Sequence, residues 1–456
     1  YESPEGRQDD SAGRDRGFVV RALAPVGNVR LWAGFQLDQV RDMGKPQADL
    51  PATRTFYPSE NSSRFTLGLD APDVAGFSTV ELRGFLGAYG IVTNRQRRPN
   101  ETTTLRNTLS DVEADDFSLR LLGRRSVGTA GLRVGVDVNG RTSLQALNIV
   151  ESFDAAGSLT KRTTEVAIED ANRTDWGAFV EGDVPLAGET VTLSAGLRAD
   201  YVETQNTGGY YGDRSTSDGA LSGYAAVTWA FAREWKVAAQ YARGFRDPTL
   251  SDRYFRGVSG RGFVVGNPDL VPETSNQWDL SVRGRSGPIG LGLSGYVYRI
   301  EDLIERYRAG DDYQFRNRGE AEIAGVELEA DLRLAPRLVV HVSGSLSQGR
   351  ILDDGTWAPD ILPPMAQLVV DHEPMERLFW RASLLASARD DRPGASEVVV
   401  AGYARLDLSA GYRASDLLTV TISARNIFDA AYADSADELH VTAPGRGAIL
   451  TLSGSF

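Results

Sequence analysis

The stretch Val191–Tyr201, VTLSAGLRADY, decides how this 456-residue sequence is read. Val191, Leu193, Ala195, Leu197, Ala199 and Tyr201 alternate with Thr192, Ser194, Gly196, Arg198 and Asp200. Side chains on a strand point to opposite faces in turn, so this segment has one wholly apolar face and one polar, charged face. The same period returns in Val326–Leu332, Leu378–Ala386, Ala404–Tyr412 and Leu418–Ala424. The ribbons run about 10 to 14 residues, against about 5 to 6 for ordinary globular strands and about 9 to 11 for a strand tilted across a bilayer. Apolar side chains toward lipid and ionic ones toward a wet lumen make an all-β, antiparallel transmembrane barrel.

Composition agrees. With no Cys, 24% charged residues and 49 basic against 62 acidic side chains for a net charge of −13, the sequence excludes a disulfide scaffold, a Cys-based metal site, a disordered chain and a polybasic nucleic-acid binder. No apolar run approaches the roughly 18 residues of a membrane-spanning helix. Tyr1–Arg16 is polar and acidic and does not read as a secretion signal.

Connectors alternate in length. Short ones fall at Pro25–Asn28, Asp70–Gly76, Gly123–Ser126, Pro185–Glu189, Phe231–Glu234, Ser286–Pro288, Ala335–Arg337, Glu373–Glu376 and Ala414–Asp416. Between them come long polar links at Asp42–Glu60, Ile91–Asp111, Arg141–Asn172, Glu203–Ser217, Gly244–Glu273, Glu301–Asp312, Arg350–Ile361, Asp390–Val398 and Ile427–Pro444. Short periplasmic turns and long extracellular loops are the outer-membrane arrangement. Trp32, Trp176, Tyr201, Trp229, Trp235, Tyr296 and Trp380 stand near strand ends, where interfacial girdles are expected. The connectors delimit 19 strands, the first and last both running downward. Bacterial barrels hold an even number, so about three further strands are expected upstream, for about 22 in all. Residues 1–456 are thus expected to form a single barrel domain, incomplete at its N-terminal side, with an open edge at Gly17–Ala24.

Three stretches resemble the barrel of TonB-dependent outer-membrane receptors. Ala242–Ser275, ARGFRDPTLSDRYFRGVSGRGFVVGNPDLVPETS, is similar to the family's paired loop boxes at Phe245, Arg246, Pro248, Asn267, Pro268 and Leu270. Phe315–Glu329, FRNRGEAEIAGVELE, resembles a family strand through Gly325 and Glu327, and Ala424–Tyr432 with Ala443–Arg446 leads to a last strand ending in Phe456. The resemblance implies active transport of a small-molecule ligand, a plug encoded upstream, and energy from TonB, ExbB and ExbD through an N-terminal region. It implies that Phe456 is read by the barrel-assembly machinery. Outer-membrane lipid and lipopolysaccharide are the surroundings it implies. Physically, Pro248 and Pro268 cannot donate ladder hydrogen bonds, so the boxes also read as places where strands stop and a loop folds inward.

No catalytic constellation, cofactor motif or nucleic-acid patch is found. His341, His372 and His440 lack metal-ligand spacing. Asp311-Asp312, Asp353-Asp354 and Asp390-Asp391 offer oxygen ligands of the kind calcium takes, although solvated surface is the plainer reading. Ile91–Arg106 carries Arg95, Arg97, Arg98 and Arg106 against Glu101, and Gly244–Gly262 carries Arg246, Arg253, Arg256 and Arg261 against Asp247 and Asp252. Arginines at a barrel mouth attract anions, and their planar forks suit carboxylates and catecholates. The expected ligand residues are therefore Arg95, Arg97, Arg98, Arg246, Arg253 and Arg256, with Tyr210, Tyr211, Tyr254 and Trp357 available for stacking. A ferric siderophore or similar metal chelate fits. Haem receptors of the family place a His between the two boxes, and Thr249–Gly266 has none. Cobalamin or oligosaccharide uptake stays open, as does a passive porin, whereas a barrel lipase needs a Ser and His pair that the three isolated His do not supply.

Overall fold

The computed structural model describes residues 2–47, 52–98 and 104–454, and most of them lie in one large antiparallel sheet. Nineteen strands build its wall. The first seven are β1 (Arg14–Val26), β2 (Val29–Lys45), β3 (Thr53–Val74), β4 (Phe77–Arg97), β5 (Leu105–Val127), β6 (Ala130–Phe153) and β7 (Leu159–Leu186). Next come β8 (Val191–Asn206), β9 (Arg214–Ala232), β10 (Trp235–Arg246), β11 (Glu273–Ser286), β12 (Ile289–Ala309) and β13 (Asp312–Ala335). The last six are β14 (Leu338–Ile351), β15 (Met365–Met375), β16 (Leu378–Ser387), β17 (Tyr403–Arg413), β18 (Leu418–Arg425) and β19 (Gly447–Gly454). Each pairs with its neighbour in sequence, and β10 pairs with β11 across the insertion that separates them.

The alternation becomes an outside and an inside. On β8, Leu193 and Leu197 are 44% and 61% exposed, while Arg198, next after Leu197, turns into the lumen and holds Asp137 of β6 at 2.8 Å and Asp200 at 2.6 Å. Arg141 of β6 likewise grips Asp116 of β5 through two hydrogen bonds of 2.8 and 2.9 Å. Leucines left bare on the outside have hydrocarbon as their partner; a charge there costs about 2–4 kcal/mol at mid-bilayer depth. Among the described residues no helix is long and apolar enough to cross a membrane.

Nine tight turns close one end. The turn expected at Gly123–Ser126 lies instead at Gly128–Thr129, because β5 continues to Val127; Gly128 adopts φ 62°, which favours glycine. At the other end the strands overrun their expected limits. β7 has 28 residues, and β12 and β13 stay in register up to the pair Ala309 and Asp312. The expected links at Asp42–Glu60, Ile91–Asp111, Arg141–Asn172 and Glu301–Asp312 are in large part strand. Above the membrane both faces of the ladder meet water, so backbone pairing persists while the alternation that reports lipid on one side stops.

Two of the expected girdle aromatics face the lumen. Trp32 lies beneath Arg83, whose guanidinium carbon is 5.3 Å from the ring centre, and Tyr296 stacks on Tyr298 at 4.8 Å. Each follows or precedes a lipid-facing residue, Leu31 or Val297, and the period of two turns it inward. Trp176 and its cross-strand partner Tyr201 are outside, 52% and 45% exposed, as is Trp229 beside Phe231.

One seam interrupts the wall. The strand order brings β19 beside β1, yet among the described residues none of β1 is in register with β19, and every position of both strands is exposed. Both run from the mouth toward the tight-turn end, so they cannot join as an antiparallel pair. Above them, Gly445 N–H donates to the Glu2 carbonyl at 2.9 Å and the Thr442 hydroxyl to Glu5 at 2.6 Å. The open edge expected at Gly17–Ala24 falls within β1. Phe456 lies outside the described residues.

Candidate functional site

Between β10 and β11 the chain leaves the wall and crosses the mouth as a strap, residues 247–272. It opens with the one-turn helix α1 (Leu250–Tyr254), whose start is written in the sequence. The Thr249 hydroxyl accepts from Asp252 N–H at 3.1 Å and the Asp252 carboxylate accepts from Thr249 N–H at 3.0 Å, a reciprocal cap. A hairpin follows, Arg256–Ser259 against Gly262–Val265. Leu250 and Tyr254 insert into an apolar pocket formed by Ala114 of β5, Leu144 and Ala146 of β6, and Ile168 of β7. The far side of the strap adds Phe263–Val265 as a parallel partner to Asp312–Gln314 of β13. The strap therefore bridges two well-separated arcs of the wall.

Its root is an ion network. Arg173 of β7 donates to the Asp247 carboxylate and to the Pro248 carbonyl, each at 2.8 Å. Arg253, with a side chain only 2% exposed, reaches Asp218 of β9 at 3.2 Å, Asp247 at 3.5 Å and the Pro268 carbonyl at 3.3 Å. Burial pushes the Asp247 carboxyl up to about 6 against the pull of Arg173. The box residues are anchors here. Asn267 donates through its side-chain amide to the Phe315 carbonyl at 3.1 Å, Leu270 is 2% exposed, and Phe245 pairs with Thr274 at the top of β10. Arg246 is held by Glu273 at 2.9 Å and Asp252 at 3.3 Å. On β13, Gly325 lies beneath Tyr296, whose ring fills the space a side chain would take, and Glu327 follows on the same face.

The other expected ligand residues divide into groups. Arg256 is paired with Glu165 of β7 and lies 4.4 Å from the Tyr210 ring centre and 5.1 Å from that of Phe263. Tyr211 donates its hydroxyl to the Gly266 carbonyl, and burial pushes it up to about 12. Tyr254 is fully buried. Arg95 and Arg97 are on β4: Arg95 reaches under the strap tip, 3.3 Å from where a side chain at Gly262 would begin, and Arg97 crosses to Asp311 at 2.9 Å. Arg98 follows β4 and is exposed. Trp357 lies between β14 and β15, with Arg350 and Arg392 over its ring at 4.1 and 5.6 Å.

The acidic pairs are tied to neighbours. Asp311 meets Arg97, Asp312 opens β13, Asp354 meets Arg318 and Thr356, and Asp390 bridges to Val400. Among the described residues no group of three or more His, Cys, Asp or Glu is arranged to hold a metal. His341 lies on the lumen side between Asp331 at 2.6 Å and Asp371 at 3.4 Å, His372 packs edge-on against Trp380, and His440 contacts the Asp437 carbonyl at 2.7 Å.

Beside the strap, over β12 and β13, a cavity of about 420 Å³ opens beneath the long loops. Three of its lining residues are Arg246, Arg261 and Arg306. Arg261 is matched by Asp437 at 3.2 Å, and the buried Glu305 is taken by Arg316 at 2.7 Å and Arg318 at 3.1 Å. Arg306 has no carboxylate partner among the described residues, and its Nε is buried without a hydrogen bond. The sequence reading passed over it by treating Glu301–Asp312 as a loop. Gly310, standing between Glu301–Ala309 and Asp311–Arg318, two runs without Gly or Pro, was the local signal for a hairpin.

Such a wall, with ionic inside, apolar outside and a strapped mouth, defines an outer-membrane barrel of the receptor type. The chain belongs to the TonB-dependent receptor-like β-barrel family, whose model matches residues 5–427, a family of transport receptors of the Gram-negative outer membrane. It is 24% identical over 321 residues to the heme/hemopexin utilization protein C of Haemophilus influenzae, an alignment covering 63% of this chain but 44% of that one. Its fold is similar to that of the copper transporter OprC, with a TM-score of 0.82 at 19% identity over all of this chain and 74% of the other. The ferric yersiniabactin uptake receptor FyuA of Yersinia pestis gives 0.72 at 15% identity, over 97% of this chain and 71% of its own.

Proposed function

We propose that this chain forms the wall and capture mouth of a TonB-dependent receptor that imports a ferric siderophore or similar metal chelate. The observation that carries the reading is the cavity beside the strap at the extracellular end, where Arg246, Arg261 and Arg306 stand among carboxylates and Arg306 is in no ion pair among the described residues. A guanidinium held in no ion pair offers its planar fork to an anionic chelate. Energy would come from TonB, ExbB and ExbD acting through a plug. The seam supports the same reading: an odd number of strands between β19 and β1 restores antiparallel order, and about three would complete a barrel of about 22. Unpaired edges facing hydrocarbon are otherwise costly for every backbone group along them.

Haem is the second reading, prompted by the name of the Haemophilus relative. The strap between its two boxes offers no His, which favours a chelate over haem. The test has three arms. DNA upstream of Tyr1 should encode a plug and the missing strands, and a promoter with a stop codon there would overturn that part. Transcription should rise under iron starvation. The purified full-length receptor should show Trp quenching with ferric chelates and not with haemin; the reverse pattern would replace the chelate with haem.

A further inference from the structure

The mouth cavity holds more charge than it leaves unspent. Arg246 is matched by Glu273 and Asp252, Arg261 by Asp437, and Glu305 by Arg316 and Arg318. Glu397 accepts the backbone N–H groups of Asp360 and Gly394, each at 2.7 Å. Two groups remain. Arg306 rests with its guanidinium carbon 5.2 Å from the Tyr313 ring centre and keeps a buried Nε without a partner. The Asp360 carboxylate, on the same cavity wall, has neither ion pair nor hydrogen bond among the described residues and acts on Arg306 only through space. Asp360 itself is held at φ 61°, a conformation that the surrounding loop must impose.

A buried N–H left bare is costly, so a site that keeps one gains from a partner that arrives later. Stacking on Tyr313 fixes the plane of the fork, which leaves its edge for a planar acceptor. Burial and the neighbouring Arg261 pull the Arg306 guanidinium below its ordinary range and outweigh the through-space pull of Asp437 and Asp360, so a closer anion would be favoured there. Asp360 acts in the opposite sense. It repels a second negative charge and rewards a donor, and Leu303, Ile304 and Phe315 give the cavity an apolar side. At about 420 Å³ the space suits one small ligand.

We infer that Arg306 and Asp360 form a two-point subsite for an aminocarboxylate metal chelate, the carboxylate lying on the Arg306 fork and a metal-bound amine N–H donating to Asp360. This rests on the uptake reading above and narrows its cargo.

The test uses the full-length receptor in detergent and three iron(III) probes followed by Trp quenching. Ethylenediaminedisuccinate presents carboxylates and secondary N–H groups, ethylenediaminetetraacetate presents carboxylates without N–H, and a tricatecholate presents neither. Wild type should bind the disuccinate complex most tightly. Arg306→Gln should weaken both carboxylate complexes about tenfold or more, and Arg306→Lys, which keeps charge without the fork, should recover only part. Asp360→Asn should weaken the disuccinate complex alone. Heat-modifiable migration confirms that each variant keeps its barrel. Unchanged carboxylate binding in Arg306→Gln overturns the subsite. Wild-type binding of the tricatecholate with neither carboxylate complex overturns the ligand class while leaving uptake intact. Failure of every iron probe, with no induction by iron starvation, instead overturns the uptake reading.

Discussion

Arg253 and Arg306 are both arginines of the mouth, a short way apart in the fold, and their surroundings are opposite. At the strap root, Arg253 and Arg173 share Asp247 and Asp218 with backbone carbonyls added, so the charge is spent on architecture. In the cavity, Arg306 and Asp360 lie near matched pairs but stay outside them. The difference separates two jobs that a charge count cannot. Both arginines bury an Nε without a hydrogen bond, so the contrast lies in their ion pairs: matched charges fix where the strap lies, whereas a guanidinium in no ion pair has interaction energy left for a molecule from outside.

The largest effect should come from the saturated side. Arg253→Ala leaves the buried Asp247 and the half-buried Asp218 with a cation missing, and the loss at Asp247 costs about 3–5 kcal/mol when such a pair is fully enclosed. Hydrogen exchange of strap amides 249–266 should rise by several hundredfold or more while the wall stays protected; an unchanged strap would mean that its apolar plug of Leu250 and Tyr254 suffices. Next in size is a change to the wall on which both regions hang. Leu197→Arg, next to the lumen-facing Arg198, should destabilise the barrel by about 2–4 kcal/mol in a reversible urea titration in lipid. A neutral result would place this face away from hydrocarbon.

A smaller effect concerns pH. The Asp247 carboxyl is pushed from the ordinary carboxylate range up to about 6 in the folded protein by burial. A raised folded value means that its contribution is fully present below about 4 and is lost as pH rises through about 6. Strap amides should therefore be about tenfold more protected at pH 5 than at pH 7. Asp247→Asn should flatten that dependence, and a wild-type profile in the variant would assign it to another group. The smallest effect is expected at Arg97. Its pair with Asp311 joins side chains 43% and 64% exposed, and such pairs contribute about 0–1 kcal/mol. Replacing Arg95, Arg97 and Arg98 by Ala should alter chelate affinity by less than about threefold, with some loss of its salt dependence. A tenfold loss would move the capture site from the Arg306 cavity to the β4 edge.

Much of this protein was written along the chain. The period of two in Val191–Tyr201 put Leu197 outside and Arg198 inside, because lipid on one face and water on the other admit no other sorting. Among the described residues, the nine tight turns, the strand count and the bend at Pro248 and Pro268 follow from local backbone rules. Trp32 and Tyr296 show the limit even there, since residue type suggested a girdle and only strand parity turned them inward.

What the tertiary structure alone decided is which charges are spent. Arg253 and Asp218, or Arg97 and Asp311, are far apart in sequence, and nothing local tells that one arginine is enclosed and another bare. The strands above the membrane were hidden for a related reason: with water on both sides the ladder persists without a hydrophobic pattern to announce it. Periodicity reports the solvent beside each residue, while pairing depends on where a closing wall and a crossing strap bring distant residues together.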